Sequence, residues 1–150
     1  MLYLRPLGEL KKTVGDLKIK NNNHNRKNFE IACTFICAVS NKEPEKARER
    51  AAKTLAFYIA TGKYYSKFLS ENGFREDVEQ IISEYRNKGG DSAAKVVSNK
   101  MLESLTICGN SEECNKSLAR FRSTGITLPI IQLNPLDNTE SSFMEVLSTF

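Results

Sequence analysis

The segment IACTFICAVS, residues 31–40, decides the fold of this chain. If it is a strand, Ile31, Cys33, Phe35, Cys37 and Val39 fall on one side and Ala32, Thr34, Ile36 and Ala38 on the other. Neither side is charged. A strand that is apolar on both faces fits a parallel sheet covered on both sides, not a half-solvated antiparallel one. The stretch that follows, NKEPEKARERAAKTLAFYIATG (41–62), reads as a long helix. Ser40 and Glu43 have capping-box spacing, and Pro44 suits a first turn. Ala47, Ala51, Leu55, Tyr58 and Ile59 form its apolar stripe, and Gly62 ends it.

A second greasy segment lies far downstream. ITLPIIQLNP (126–135) reads as another buried strand, with Pro129 near its start because proline gives no N–H to a ladder. The intervening chain reads as helical. KYYSKFLSENG (63–73) is a short helix closed by Gly73, with Tyr64 and Tyr65 available to line a pocket or pack on a neighbour. FREDVEQIISEYRNKGG (74–90) is amphipathic and stops at Gly89-Gly90. DSAAKVVSNKMLESLTICG (91–109) reads as helical, broken near Ser98-Asn99. Asn110 and Glu113 then have the reciprocal spacing of a capping box, opening a helix with Cys114, Leu118 and Phe121 inward. The tail DNTESSFMEVLSTF (137–150) reads as a last helix making apolar contacts through Phe143, Met144, Val146 and Leu147. Near the start, Leu7, Leu10 and Val14 predict a short helix with an extended exit, and KNNNHN (20–25), with His24, a surface loop or frayed helix end.

The order is therefore helix, strand, several helices, strand, helix. A two-stranded parallel sheet cannot bury two strands apolar on both faces. The missing neighbours must be helices folded over them, another chain, or further sequence.

Composition sets the outer limits. The 150 residues suffice for one domain, 1–150, with a real core. Apolar content of 40% and charged content of 27% are ordinary for a globular protein. No apolar run approaches the length of a membrane span, and the start lacks a basic-then-apolar leader, so a cytoplasmic location is expected and no membrane contact. The net charge of +4 owes much to segment 11–27, where Asp16 is the lone acidic residue. That segment has no aromatic side chain to stack a base and no binding motif, which argues for solvated surface over an anion contact or a nucleic-acid arm. The four cysteines, Cys33, Cys37, Cys108 and Cys114, lack paired zinc spacing and read as free thiols, with no metal expected. Cys114, in a first helical turn, is the one expected to have a lowered pKa.

Gly109 precedes a helix start, where free N–H groups can hold an anion. The surrounding residues lack GxGxxG and any GxxxxGK followed by Ser or Thr, and Glu112 and Glu113 add negative charge. Plain capping is the expected role.

Two stretches carry a family likeness. CTFICAVSNKEPEKARERAAKTLAFYIATGKYYSKFLSENGF (33–74) and MLESLTICGNSEECNKSLARFRSTGITLPIIQLNP (101–135) resemble the later part of the luciferase-like flavin and deazaflavin oxidoreductases. The pieces are a strand (Cys33–Ser40), an acidic-Ala-Arg helix start (Glu43–Arg48), a GxxEE turn (Gly109–Glu113) and a Gly-x-Thr turn (Gly125–Thr127) before a final strand. YLRPLGELKK at the start is similar to the family's segment after an earlier strand. The likeness is nearest to the archaeal branch using coenzyme F420, including methylenetetrahydromethanopterin reductases.

The resemblance implies an α/β fold, a partial (β/α)8 TIM barrel of the luciferase-like type, with parallel strands at about 31–39 and 127–133 and a mostly helical excursion between them. A full barrel has about 250 residues, so it implies the C-terminal portion of such an enzyme, as a split or truncated product or a small relative. Chemistry in barrels sits at the C-terminal ends of strands. That places Ser40, Asn41, Gln132, Asn134 and Pro135 on the active rim, with Ser40, Asn41, Gln132 and Asn134 as candidate cofactor contacts. The bare residues also allow Ser40 to be only a cap and Asn134 only a turn brace. Arg5 either meets an anion or is simply exposed. The implied cofactor is coenzyme F420 or FMN, with none in the isolated chain as the alternative. The implied reaction is hydride transfer between that ring and an organic substrate, with no catalytic residue identified. The implied partner is a second copy or a complementary chain supplying the missing strands, with the chain inactive alone. The competing reading is a non-catalytic helical interaction protein.

Overall fold

A computed structural model describes residues 1–23 and 29–150. It contains four strands, β1 (Leu2–Tyr3), β2 (Ala32–Val39), β3 (Thr106–Gly109) and β4 (Leu128–Leu133), and all pairings are parallel. The helices are α1 (Leu7–Asn23), α2 (Pro44–Thr61), α3 (Lys63–Leu69), α4 (Arg75–Lys88), α5 (Gly90–Lys95), α6 (Asn99–Leu105), α7 (Ser111–Arg122) and α8 (Thr139–Thr149).

β2 is the hub of the sheet. β4 lies along one of its edges, from Ala32 opposite Leu128 to Cys37 opposite Leu133. The other edge is shared end to end. β1 pairs at Cys33 and Thr34, and β3 continues from Ile36 opposite Thr106 to Val39 opposite Gly109. The expected parallel neighbours at 31–39 and 127–133 are thus paired directly. The expectation of two strands alone is corrected, because β2's other edge is clothed from within the chain. Residues 106–109 are strand where helix was expected. Helix α6 stops at Leu105, Thr106 takes extended φ/ψ, and the buried TICG run joins the ladder.

Side chains from alternate β2 positions enter two cores. Ile36 and Ala38 pack with Cys108, Leu55, Ile59, Ile81 and Met101, so α2 to α6 cover that face. Cys33, Phe35, Cys37 and Val39 pack with Leu10, Val14, Ile107, Cys114, Phe121 and Val146, so α1, α7 and α8 cover the other. The Phe35 and Phe121 rings lie 4.4 Å apart, tilted by 34°.

Local signals hold at most boundaries. Asn110 and Glu113 form the full reciprocal box, with Asn110 Oδ1 accepting from Glu113 N at 2.9 Å and Glu113 Oε2 from Asn110 N at 2.9 Å. Gly109, at φ 121°, turns the chain into it. The box expected at Ser40 and Glu43 is only half formed. Ser40 Oγ accepts from Glu43 N at 3.1 Å, but Glu43 is itself the N-cap and its carboxylate pairs with Lys46 at 2.6 Å. Helix α1 runs on to Asn23, beyond the short helix expected; the reading of His24 lies outside the described residues. The break before α4 is a π-type turn in which Gly73 has φ 92°. On α8 the apolar expectation is partly corrected. Val146 is buried, while Phe143, Met144 and Leu147 are exposed.

All four cysteines are buried free thiols. The expected lowering for Cys114 is reversed. Removal from water raises its pKa, and the neighbouring Cys37 and Cys108 add to the effect. Burial pushes Cys33 and Cys37 up to about 12.

Candidate functional site at the C-terminal rim

β2 and β4 both end at the same side of the sheet, and the chain leaves them through Ser40-Asn41 and Asn134-Pro135. Backbone bonds continue past the strands and fix both exits. Ser40 N donates to Gly109 O at 2.9 Å, and Asn134 N to Cys37 O at 2.8 Å.

Ser40 is buried. Its oxygen accepts from Glu43 N, and its O–H donates to no acceptor among the described residues. Asn41 is exposed yet heavily used. Its backbone N–H donates to Glu145 Oε1 at 2.6 Å, its Nδ2 to Ser111 Oγ at 2.8 Å, and its Oδ1 accepts from Ser111 N at 3.0 Å. It ties the β2 exit to the start of α7 and to α8. Asn134 is 4% exposed. Its Oδ1 accepts from Thr54 Oγ1 at 2.7 Å, and its Nδ2 donates to Gln132 O at 2.8 Å. Arg50 extends this brace, donating to Thr54 Oγ1 at 2.6 Å and to Pro135 O at 3.0 Å.

Gln132 stands apart from Ser40 and Asn41, as does the buried Asn134 side chain, which is committed to Thr54 and the Gln132 carbonyl. Gln132 lies opposite Ile36, two residues short of the exit, and accepts a hydrogen bond from Tyr3 O–H at 2.7 Å. Tyr3 belongs to an aromatic cluster with Tyr58 and Tyr65, at centroid separations of 5.3 and 5.8 Å. Burial is the main cause that raises the Tyr3 phenol above its ordinary pKa. Tyr65 therefore packs, whereas Tyr64 is largely exposed. Arg5 stacks on Phe68, with its guanidinium carbon 4.6 Å from the ring centroid.

The rim carries an open cleft of about 730 Å³, lined by Ser40, Asn41, Lys42, Asp137, Met144 and Glu145 among others. Sequence reasoning missed the contribution of α8, because its exposed Met144 looked like a core contact. A second groove of about 400 Å³ adjoins it through Leu136 and Asp137, with Arg50, Lys53 and Lys95 on its wall. Lys53 is paired there with Asp91, whose carboxyl it holds below its usual range.

Ser40 offers a donor, Lys42 a cation and Met144 an apolar contact. No aromatic side chain among the described residues lines the cleft.

A family model for luciferase-like monooxygenases matches residues 1–128. The chain belongs to that family. Among solved structures, it is similar to the coenzyme F420-dependent tetrahydromethanopterin reductase from Methanopyrus kandleri. The TM-score is 0.76 at 17% identity, over 96% of this chain and 42% of that one. The fold is thus part of a luciferase-like TIM barrel, with the chain spanning less than half the length of that structure. The family is one of oxidoreductases, and the expected kinship is met. No described helix is long and apolar enough to cross a membrane.

Proposed function

We propose that this chain forms part of a luciferase-like oxidoreductase, holding one face of a flavin or deazaflavin F420 ring at the C-terminal rim. The observation that carries this reading is the rim cleft itself, at the ends of two adjacent parallel strands in a luciferase-like fold. When bound, such a ring supplies the hydride-carrying atom for exchange with an organic substrate. The chain's own residues bind and orient. Ser40 gives its O–H proton to a ring or ribityl oxygen, Lys42 offsets negative charge, and Met144 packs on the ring plane. Asn134 and Asn41 act by holding the two exits in register. Gln132 braces the wall beneath them through Tyr3.

The opposite wall would come from a second copy or a complementary chain. β4 pairs only with β2 among the described residues, so its outer edge has backbone groups to offer a further strand. Turnover is therefore a property of the assembly and not of the single chain.

The test is titration with FMN and with F420, read by ring absorbance and fluorescence, on the chain alone and with the product of the neighbouring reading frame. Binding that Ser40→Ala weakens supports the proposal. No spectral change with either cofactor, in either setting, refutes it and leaves the non-catalytic interaction role.

A further inference from the structure

The outer edge of β4 is open among the described residues, since β4 pairs only with β2. Its sequence, LPIIQL, carries no charge, and Pro129 is its one guard against edge pairing. The backbone groups of a strand alternate between its two sides. Leu128 N and Asn134 N both donate to β2, so the backbones of Pro129, Ile131 and Leu133 face outward. Pro129 presents a carbonyl without an N–H, and Ile131 and Leu133 present both.

Helix α8 carries an apolar flank on the same side. It rests on β2 and β4 while α7 rests on β3, so α7 and then α8 are met on the way to the open edge. The flank of α8 toward α7 uses Thr149, whose hydroxyl bonds Ser111 and whose carbonyl bonds Asn115. Phe143, Leu147 and Phe150 recur at helical spacing on the flank turned away from α7, and each is about half exposed. At about 200 Å² for a whole phenylalanine side chain, this flank holds roughly 300 Å² of uncovered apolar surface per copy. A standard interface covers about 800 Å² per partner, so the flank makes one only together with the strand edge.

A second copy satisfies both. A two-fold axis normal to the sheet sets β4 antiparallel to its counterpart and puts both α8 helices on one face, flank against flank. In the register centred on Ile131, Ile131 N–H donates to the Ile131 carbonyl of the second copy, and the reverse. Leu133 N–H donates to the Pro129 carbonyl of the second copy, so proline serves as an acceptor alone, the one role open to it. A symmetric parallel pair sets identical residues level and allows no such exchange, because parallel bonds slant. Glu140 lies in the first turn of α8, so antiparallel helices keep the two like charges at opposite ends of the contact.

We propose that this chain pairs with a second copy of itself through the β4 edge and the Phe143, Leu147 and Phe150 flank of α8, as an antiparallel two-fold dimer. The two rims then lie at opposite ends of the joined sheet. The second copy leaves the rim cleft unwalled, and a complementary chain must displace it to reach the same edge. The proposal goes beyond the cofactor reading and stands or fails without it.

The experiment measures the mass of the full chain by sedimentation equilibrium and its amide hydrogen exchange by NMR, with no cofactor present. The expected mass is about twice the 16.9 kDa of one chain. The Ile131 and Leu133 amides should be protected in the dimer and exchange faster on dilution. Leu147→Asp, at an exposed position outside both cores, is expected to raise the dissociation constant at least about ten-fold by forcing a carboxylate into the apolar contact. Its circular dichroism should match the parent's, and Phe143→Asp, one turn away, should repeat the result. A single-chain mass at about 0.1 mM overturns the proposal and leaves the edge to the complementary chain. So does a dimer whose Ile131 and Leu133 amides exchange freely, or one that neither substitution weakens.

Discussion

Phe121→Ala is the sharpest test of how α7 is fastened to the sheet. The Phe121 side chain is 0% exposed, and its ring lies 4.4 Å from that of Phe35 at the centre of the second core. Truncating a buried phenylalanine costs about 3–5 kcal/mol through lost transfer energy and the cavity left behind. Domains of this kind have a total stability of about 5–15 kcal/mol. With a urea dependence of about 2 kcal/mol per molar, the loss moves the unfolding midpoint down by about 2 M. Phe35→Ala should cost a similar amount. The pair is coupled, so the double variant should lose about 1 kcal/mol less than the sum, the typical value of an aromatic contact. The assay is urea unfolding followed by far-UV circular dichroism for the parent and all three variants. A midpoint shift below about 0.5 M for Phe121→Ala, or strict additivity in the double variant, would show that α7 does not pack on β2 as described.

Two further outcomes rest on the glycine turn and the buried thiols. Gly109→Ala places a non-glycine residue at φ 121° and its Cβ against the Glu113 carboxylate, so it should destabilise by about 2 kcal/mol or more, read as a lowered melting temperature. The buried thiols impose a pH dependence. Cys33 and Cys37 titrate at about 12 in the folded chain against 9.0 when unconstrained, so folding favours their protonated forms. Their contribution is complete below pH 9.0 and is lost progressively as pH rises toward about 12. Urea midpoints measured in reductant should fall above pH 9, and less steeply in the Cys33→Ala, Cys37→Ala protein; equal slopes would refute the assignment.

The sequence announced β2 and β4 through composition alone, because a doubly apolar run has few homes other than a covered parallel strand. It also announced α7, since capping chemistry is local. β3 was hidden. Met101, Leu102 and Leu105 extend a helical spacing up to its first residue, and four residues are too few to establish an alternation of their own. β1, with two residues, is strand only because β2 is beside it. The rim was half legible. Strand polarity placed Ser40 and Asn41 at the cleft, but the same reasoning could not see that the Asn134 amide is spent on Thr54 and the Gln132 carbonyl, or that Gln132 is drawn to Tyr3. That bond joins residues 129 positions apart. Nor could spacing reveal that α8 turns Met144 outward, since a set of Phe143, Met144, Val146 and Leu147 reads the same whether packed or exposed.

The shared edge of β2 has a consequence for biosynthesis. A ribosome that has completed Val39 must translate a further 67 residues, the interval to Thr106, before it reaches the segment that covers the strand's upper half. At about 5–20 residues per second this takes roughly 3–13 s. β4 emerges later still. During that interval the greasiest strand of the nascent chain has only a two-residue partner, so aggregation and chaperone capture compete with folding most strongly before the final third has been made.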